Sequence, residues 1–277
     1  MTLQQAYTYG KNRLTEAGIE DADTDAWLLL EYVTKISRAT YFLEVNRGIS
    51  REDEEKYKAY IEKRVSHIPL QHITGTQEFM GMEFYVNEHV LVPRQDTEVL
   101  VEEVQKVLET GMDVLDMCTG SGCIAISLAK SGKEANVHGI DISTQALELA
   151  EKNCKKLEAD VNLIQSDLFE KVDGKYDIIV SNPPYICTSE IEKLKEEVKC
   201  HDPYIALDGK EDGLYFYRKI VASSGQYLKE NGRLYFEIGY DQADAVKLLM
   251  EDAGFTQIAV KKDLAGLDRV VFGIYNK

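Results

Sequence analysis

The sequence contains no Cys-x-x-Cys pair, and its five cysteines, at 118, 123, 154, 187 and 200, are odd in number. That argues against a disulfide framework and against a structural zinc site, and leaves free thiols in a reducing compartment as the expectation. The five histidines (67, 72, 89, 138 and 201) lack ligand spacing, so no metal is assigned. Cys200-His201 is adjacent in sequence and reads as surface rather than as a catalytic pair. There is no P-loop lysine and no Walker pattern, which disfavours nucleoside triphosphates. No apolar run approaches the length of a membrane span, and the opening MTLQQAYTYGKNRL has no hydrophobic signal region, so a soluble, cytoplasmic protein is expected. Basic residues are in deficit, 32 against 48 acidic, for a formal charge of -16. Such a field repels phosphate backbones and disfavours broad nucleic-acid binding. Internal repeats and low-complexity segments are missing as well.

What is present is a chain of 277 residues, 44% hydrophobic, enough for one large domain or two smaller ones with a sizeable core. The first ~65 residues read as helices: Ala26, Leu29, Leu30 and Val33 fall at i, i+3, i+4, i+7. Ser50 followed by Asp53 opens a further helix, whose face is Tyr57, Tyr60, Ile61 and Val65. Aromatic and β-branched alternation from Phe79 to Val92 reads as a short hairpin joining two domains. From about Gln95 the pattern is strand–helix alternation. Strands are predicted over 114–117, 136–140, 161–165, 176–180 and 233–238, with two more closing the chain. Helices are predicted over 123–130, with Gly132 as its stop, from Ser143 with Leu147, Ala150, Cys154 and Leu157 on one face, over 214–229 and over 241–253. Alternation of this kind implies a mostly parallel, doubly wound sheet.

Three features carry chemistry. DMCTGSG, Asp116 to Gly122, lies between a strand and a helix, where Gly120 and Gly122 let the backbone approach a ligand and the helix start offers free N–H groups. Asp141 ends the next strand about 20 residues further on, placed to accept from ribose hydroxyls. These two features admit either a dinucleotide or S-adenosylmethionine. Ser181-Asn182-Pro183-Pro184-Tyr185 discriminates between them. Two prolines stiffen the turn that follows the strand. The Asn182 side-chain oxygen and the Pro183 carbonyl offer two acceptors to an NH₂ on a planar group, and Tyr185 offers a flat face for stacking. An amide nitrogen is a poor nucleophile, so holding both of its hydrogens and aligning it with the methyl donor is the needed contribution. Proximity of this kind reaches ~7–11 kcal/mol in ideal cases.

Over nearly its whole length the chain resembles the HemK/PrmC family of release-factor glutamine methyltransferases. The resemblance is carried by PLQHITG (69–75), VPRQDTE (92–98), DMCTGSG, Asp141, SDLF (166–169), NPPY, DPYIALDGKEDGL (202–214), EIGYDQ (237–242) and DLAGLDRVV (263–271). NPPY alone is shared with adenine-N6 DNA methyltransferases; PRQDTE together with PLQHITG and DPYIAL is much more specific to this family.

The resemblance implies a helical N-terminal substrate-recognition domain (1–78), a β-hairpin linker (79–94) and a seven-stranded Rossmann-like class I methyltransferase domain (95–277). It implies transfer of a methyl group from S-adenosyl-L-methionine to N5 of the glutamine in the Gly-Gly-Gln motif of peptide chain release factors. Asp116, Cys118, Thr119, Gly120, Ser121, Gly122 and Asp141 would hold the methionine and ribose ends of the cofactor, and Asp167 and Leu168 would border its adenine. Asn182, Pro183, Pro184 and Tyr185 would hold the glutamine amide, with Asn182 also near the methyl donor and Asn182, Pro183 and Tyr185 acting in catalysis. Arg94 and Glu98 either border the active-site mouth or form a salt bridge that fixes the linker. A monomer is expected, with no membrane or nucleic-acid partner. The competing reading is an adenine-N6 nucleic-acid methyltransferase, against which the acidic balance counts. The sequence departs from the family at Cys118, where glycine is usual, and at Gln95, where proline is common. A cysteine is costly at 118 if φ there is positive.

Overall fold

In the computed structural model, which describes residues 1–276, the chain divides into two compact units, Met1–Thr76 with Lys195–His201, and Gln77–Leu194 with the chain from Asp202 onward. Lys277, the last residue of the expected methyltransferase domain, lies outside the described residues.

The first unit is helical, with helices at Leu3–Glu16, Ala22–Thr34, Arg38–Leu43, Arg51–Val65 and Leu70–Thr74. Local chemistry sets their starts. Thr2 and Gln5 form a reciprocal capping box, and Ser50 Oγ accepts from Asp53 N. Ala26, Leu29, Leu30 and Val33 are all buried, as their spacing requires, and pack with Tyr57 and Ile61. Burying a leucine of this kind stabilises by ~1.5–3 kcal/mol. Tyr60 and Val65 are only partly buried. The polar exception in this core is Arg64, which pairs with Asp25 at 2.7 Å and with Glu197 of the 195–201 segment at 2.5 Å.

The chain passes from one unit to the other within a hairpin of β1 (Thr76–Phe79) and β2 (Met82–Tyr85). The hairpin is shorter than the alternation to Val92 suggests. Its turn is Met80-Gly81, both at positive φ (50° and 70°), the two-residue geometry that matches strand twist. Beyond it, Val86 and Val90 are apolar anchors against Ala146 and Leu149, not strand residues.

Seven further strands form one sheet: β3 (Asp113–Met117), β4 (Asn136–Asp141), β5 (Val161–Gln165), β6 (Tyr176–Ser181), β7 (Leu228–Glu237), β8 (Phe255–Lys262) and β9 (Asp268–Tyr275). Their order is β5-β4-β3-β6-β7-β9-β8, parallel from β5 to β7, with β9 antiparallel to both neighbours. The central strands are apolar on both sides because helices cover both faces: Leu115, Ile179 and Val180 are fully buried. Successive strands leave β3 in one direction and then return beside it as β6. This reversal opens a crevice at the carboxyl ends of the strands.

Two helices differ in detail from expectation. Tyr215–Tyr227 stops before Lys229, and β7 starts at Leu228; residues between Leu228 and Arg233 form an irregularity with Asn231 at φ 61°. Thr144–Leu157 turns Ala146, Leu149, Ala150, Asn153 and Cys154 inward, so a buried asparagine replaces Leu147 on the inner face. Among the described residues no helix is long and apolar enough to cross a membrane.

Candidate active site

The loop from β3 into the helix Cys123–Ala129 bends through three left-handed residues, Cys118 (φ 64°), Gly120 (φ 55°) and Gly122 (φ 81°). A cysteine at 118 therefore sits in a conformation that disfavours L-residues by ~1–2 kcal/mol. Its side chain packs against the core cluster that includes Met117, Ile140 and Phe236, and burial holds its thiol far above the usual range. The loop is tied down from below. Asp116 Oδ2 accepts from Thr119 Oγ1 (2.6 Å) and from Ala125 N (3.1 Å), and Thr119 N donates to Ile140 O (2.9 Å). Burial pushes the Asp116 carboxyl up to about 7. A residue missed in the sequence closes the set: Asn153, fully buried, donates to Ser121 O (2.9 Å) and exchanges hydrogen bonds with Tyr85 N and O (2.7 and 3.0 Å).

Above this loop lies a cavity of ≈ 360 Å³ at the carboxyl ends of the strands. Cys118, Thr119, Gly120, Ser121, Asp141, Asp167, Leu168, Asn182 and Pro184 all line it. Asp141 Oδ2 accepts from Gly120 N and Oδ1 from Ser143 N, both at 2.9 Å, so this carboxylate also braces the glycine loop. Asp167 and Leu168 are brought to the wall by a turn in which Leu168 has φ 46° and its carbonyl accepts from Ser166 Oγ at 2.8 Å.

Four of the residues expected in the site do not line the cavity. Asp116, expected to contact the cofactor, is fully buried off the cavity lining and supports Thr119 and Ala125. Gly122 is the N-cap of the following helix, where a Cβ would meet Ile126 and Ala150 at 3.1 and 3.2 Å. Pro183 is buried, and Tyr185 is half-buried with its hydroxyl donating to Glu237 Oε1 at 3.4 Å.

The turn after β6 is held by segments whose roles the sequence did not disclose. Ile186 N donates to Leu207 O (3.0 Å) and Gly209 N to Ile186 O (2.8 Å), while Gln242 Nε2 donates to Tyr185 O (3.0 Å). A Cβ at Gly209 or Gly213 would come within 2.7 or 2.4 Å of the Tyr185 backbone, so both positions need glycine for this approach. Arg94, on the cavity wall, pairs with buried Asp202 at 2.7 Å. Glu98 Oε1 accepts from Met80 N (2.6 Å) and so fixes the hairpin turn rather than the mouth of the site. Thr97, also on the wall, accepts from Asn182 Nδ2 at 3.4 Å. Glu237 is 2% exposed, and burial pushes its carboxyl up to about 7, while Thr97, Arg269 and Tyr185 favour its charged form.

Comparison with known proteins places this geometry. Residues 5–75 match the PrmC N-terminal domain and residues 94–198 the methyltransferase small domain. A release factor glutamine methyltransferase of Geobacter sulfurreducens is 39% identical over 273 residues, covering 98% of this chain and 96% of its own. That of Clostridium acetobutylicum is 41% identical over 283 residues, covering 99% of each. Among solved structures, a methyltransferase from Pyrococcus furiosus superposes with a TM-score of 0.56 at 15% identity, over 79% of this chain and 98% of that one, a likeness of fold. The wall that brings the glycine loop, Asp141 and Asn182 together thus sits on a methyltransferase fold, and the chain belongs to the release factor glutamine methyltransferase family.

Proposed function

We propose that this chain transfers a methyl group from S-adenosylmethionine to the side-chain amide nitrogen, N5, of the glutamine in a Gly-Gly-Gln motif of peptide chain release factors. One observation carries the reading: the glycine loop with Asp141 and the Asn182–Pro184 turn share one cavity. The cavity fits the cofactor. It is concave, largely apolar and set at the strand ends, and Gly120, with no atom within 4 Å of a Cβ position, leaves room for a ligand against the backbone. Cys118 to Ser121 would hold the cofactor's methionine end, with Asp116 and Gly122 shaping the loop from behind. Each Asp141 oxygen, having accepted one backbone N–H, keeps capacity for a ribose hydroxyl. Asp167 and Leu168 border the adenine.

When bound, S-adenosylmethionine supplies a methyl group on a sulfonium, so the leaving group needs no acid. The protein's task is to present the amide. Asn182 Oδ1 at the wall accepts one N–H of the glutamine. The Pro183 carbonyl and the Tyr185 ring, in the same turn as Asn182 and Pro184 though not on the cavity lining, would take the second N–H and the flat face of the amide. Holding both hydrogens turns the nitrogen lone pair towards the methyl carbon. The cofactor would supply the methyl group and carry away the sulfur as a neutral thioether, and the methylated amide nitrogen sheds its extra proton to water.

In this reading the helical unit, residues 1–78, recognises the release factor, with residues 79–94 as linker, and the protein acts as a cytoplasmic monomer without a nucleic-acid or membrane partner. Phe42 and Leu43, 66% and 85% exposed, are the most exposed large apolar residues among the described residues of this unit and are available for recognition. Phe42→Asp with Leu43→Asp should raise KM for an intact release factor and leave a short Gly-Gly-Gln peptide unaffected; equal effects on both substrates refute that role. The function itself is tested by incubating the protein with labelled cofactor and either a release factor or adenine-containing DNA at matched concentration. Label on the glutamine alone is expected; label in DNA and not in the release factor overturns the assignment.

A further inference from the structure

The side-chain amide of Asn182 has two ends of nearly equal shape, and only one is useful. Its oxygen can accept from a substrate NH₂; its own NH₂ would meet that group donor to donor. Something must therefore fix which end faces the cavity, and Asn182 Nδ2 has one protein partner described, Thr97 Oγ1 at 3.4 Å. A threonine hydroxyl carries one hydrogen and can either give or receive, so by itself it selects neither end. Its second neighbour decides. Thr97 also faces Glu237, which is buried and, when ionised, only accepts.

We propose, on the functional reading above, that Thr97 and Glu237 are positioning residues: the Glu237 carboxylate takes the Thr97 hydrogen, which leaves the Thr97 oxygen to accept from Asn182 Nδ2 and turns Asn182 Oδ1 towards the substrate amide. The same carboxylate accepts from the Tyr185 hydroxyl at 3.4 Å, so one buried group orders both ends of the Asn182–Tyr185 turn. Glu237 is itself held in place, since its backbone carbonyl accepts from Tyr217 OH at 2.9 Å. Its Oε2 is buried without a hydrogen-bond partner of good geometry, so the carboxyl has capacity left for the Thr97 hydroxyl. Thr97 lies in the VPRQDTE motif and Glu237 in the EIGYDQ motif.

Protonation reverses the chain. A neutral Glu237 can donate to Thr97, whose hydrogen is then free to face Asn182 and favour the wrong end. The charged and titratable groups around Glu237 are Arg269 on β9, which favours its ionised form, Asp96 beside Thr97, which opposes it, and Tyr185, Tyr217 on the helix Tyr215–Tyr227 and Cys123 at the start of Cys123–Ala129. With burial dominant, ionisation falls near neutrality, so the orientation should fail as pH drops through that range.

The test compares full-length wild type, Thr97→Ser, Thr97→Val and Glu237→Gln. Thr97→Val should lower kcat on an intact release factor by about tenfold or more while cofactor affinity by calorimetry stays within about twofold, because only an interaction made in the reaction has been removed. Thr97→Ser keeps the hydroxyl and should restore kcat to within about threefold of wild type. Glu237→Gln should lower kcat and abolish the acid limb of the kcat profile between about pH 6 and pH 8. Independently of turnover, the ¹H–¹⁵N side-chain amide signals of Asn182 should titrate with pH in wild type and not in Glu237→Gln. Wild-type kcat in Thr97→Val, or an unchanged Asn182 titration in Glu237→Gln, overturns the proposal. Failure of wild type to methylate any release factor would instead sink the functional reading, and the Asn182 titration would still decide the orientation.

Discussion

Replacing Asn153 by alanine removes three hydrogen bonds from one buried point. Its Nδ2 donates to Ser121 O (2.9 Å) and Tyr85 O (3.0 Å), and its Oδ1 accepts from Tyr85 N (2.7 Å). The three losses are not equal. The bond to Ser121 O is buried, and an orphaned buried carbonyl costs ~1–3 kcal/mol. The Tyr85 groups are partly buried and can recover some hydration, so together they add roughly 1 kcal/mol more. The expected total is about 2–4 kcal/mol, taken from the unit that holds the sheet. With a urea dependence of ~1–3 kcal/mol per molar, the midpoint should drop by about 1–2 M. Cofactor affinity should fall too, because Ser121 lines the cavity and its carbonyl is no longer held. Asn153→Asp is the sharper control. It keeps the bond from Tyr85 N and points a second oxygen at two carbonyl oxygens, so it should be the less stable of the two at neutral pH and recover in acid, when a protonated carboxyl can donate to one of them. A midpoint shift below about 0.3 M for Asn153→Ala would show that water replaces these bonds freely and that Asn153 does not brace the loop.

Three further outcomes follow from the site. Cys118→Gly relieves left-handed strain of ~1–2 kcal/mol, gives back ~0.5–1 kcal/mol through the freer unfolded chain and loses the packing of the thiol against the core, so it should be near neutral, whereas Cys118→Val should destabilise; equal melting temperatures for the two variants would refute the strain. Asp116 and Glu237 each have a folded pKa of about 7 against ordinary values of 3.8 and 4.5, so the folded chain holds their protons more tightly: their stabilisation is complete at low pH and is lost as pH rises through about 7. Urea melts from about pH 5 to pH 8 should show this decline, and Asp116→Asn should remove roughly half of it; an unchanged slope excludes Asp116 as a source. Asp141→Ala should weaken S-adenosylmethionine binding by roughly 1.5–3 kcal/mol by calorimetry, since it removes an acceptor for the cofactor and two braces of the loop; unchanged affinity rejects both roles.

The fold was legible where burial is periodic or continuous. Ala26, Leu29, Leu30 and Val33 announce a helix because one face is buried, and Ile178, Ile179 and Val180 announce a central strand because both faces are. Boundaries were legible where a side chain closes the end, as Ser50 and Ser143 do. They were misread where the pattern came from something else. Val86 to Val92 alternates like a strand, yet Val86 and Val90 are anchors on the helix Thr144–Leu157. The buried face of that helix lies roughly 50° from the stripe Leu147, Ala150, Cys154 and Leu157, because it takes in Ala146, Leu149 and the buried amide of Asn153.

The site was legible only in its first layer, and the reason is physical. Glycine, a strand-end aspartate and two prolines declare themselves because each does something locally: a positive φ, a carboxylate that meets backbone N–H groups at a strand end, a fixed turn. Thr97 and Glu237 do nothing locally that marks them. Thr97 lies 85 residues from the Asn182 it orients and Glu237 lies 52 from the Tyr185 it holds, so their meaning exists only after the parallel sheet has brought β6 and β7 side by side. The same holds for Gly209 and Gly213, which look like ordinary turn residues until the loop is seen to press against the Tyr185 backbone. Residues of this kind tolerate no substitute that keeps only size or only polarity. Thr97 must both receive and donate, and Glu237 must accept without donating. For that reason Thr97→Ser and Thr97→Val, which separate hydroxyl from shape, are the informative pair, while alanine at either position would merge lost packing with lost orientation.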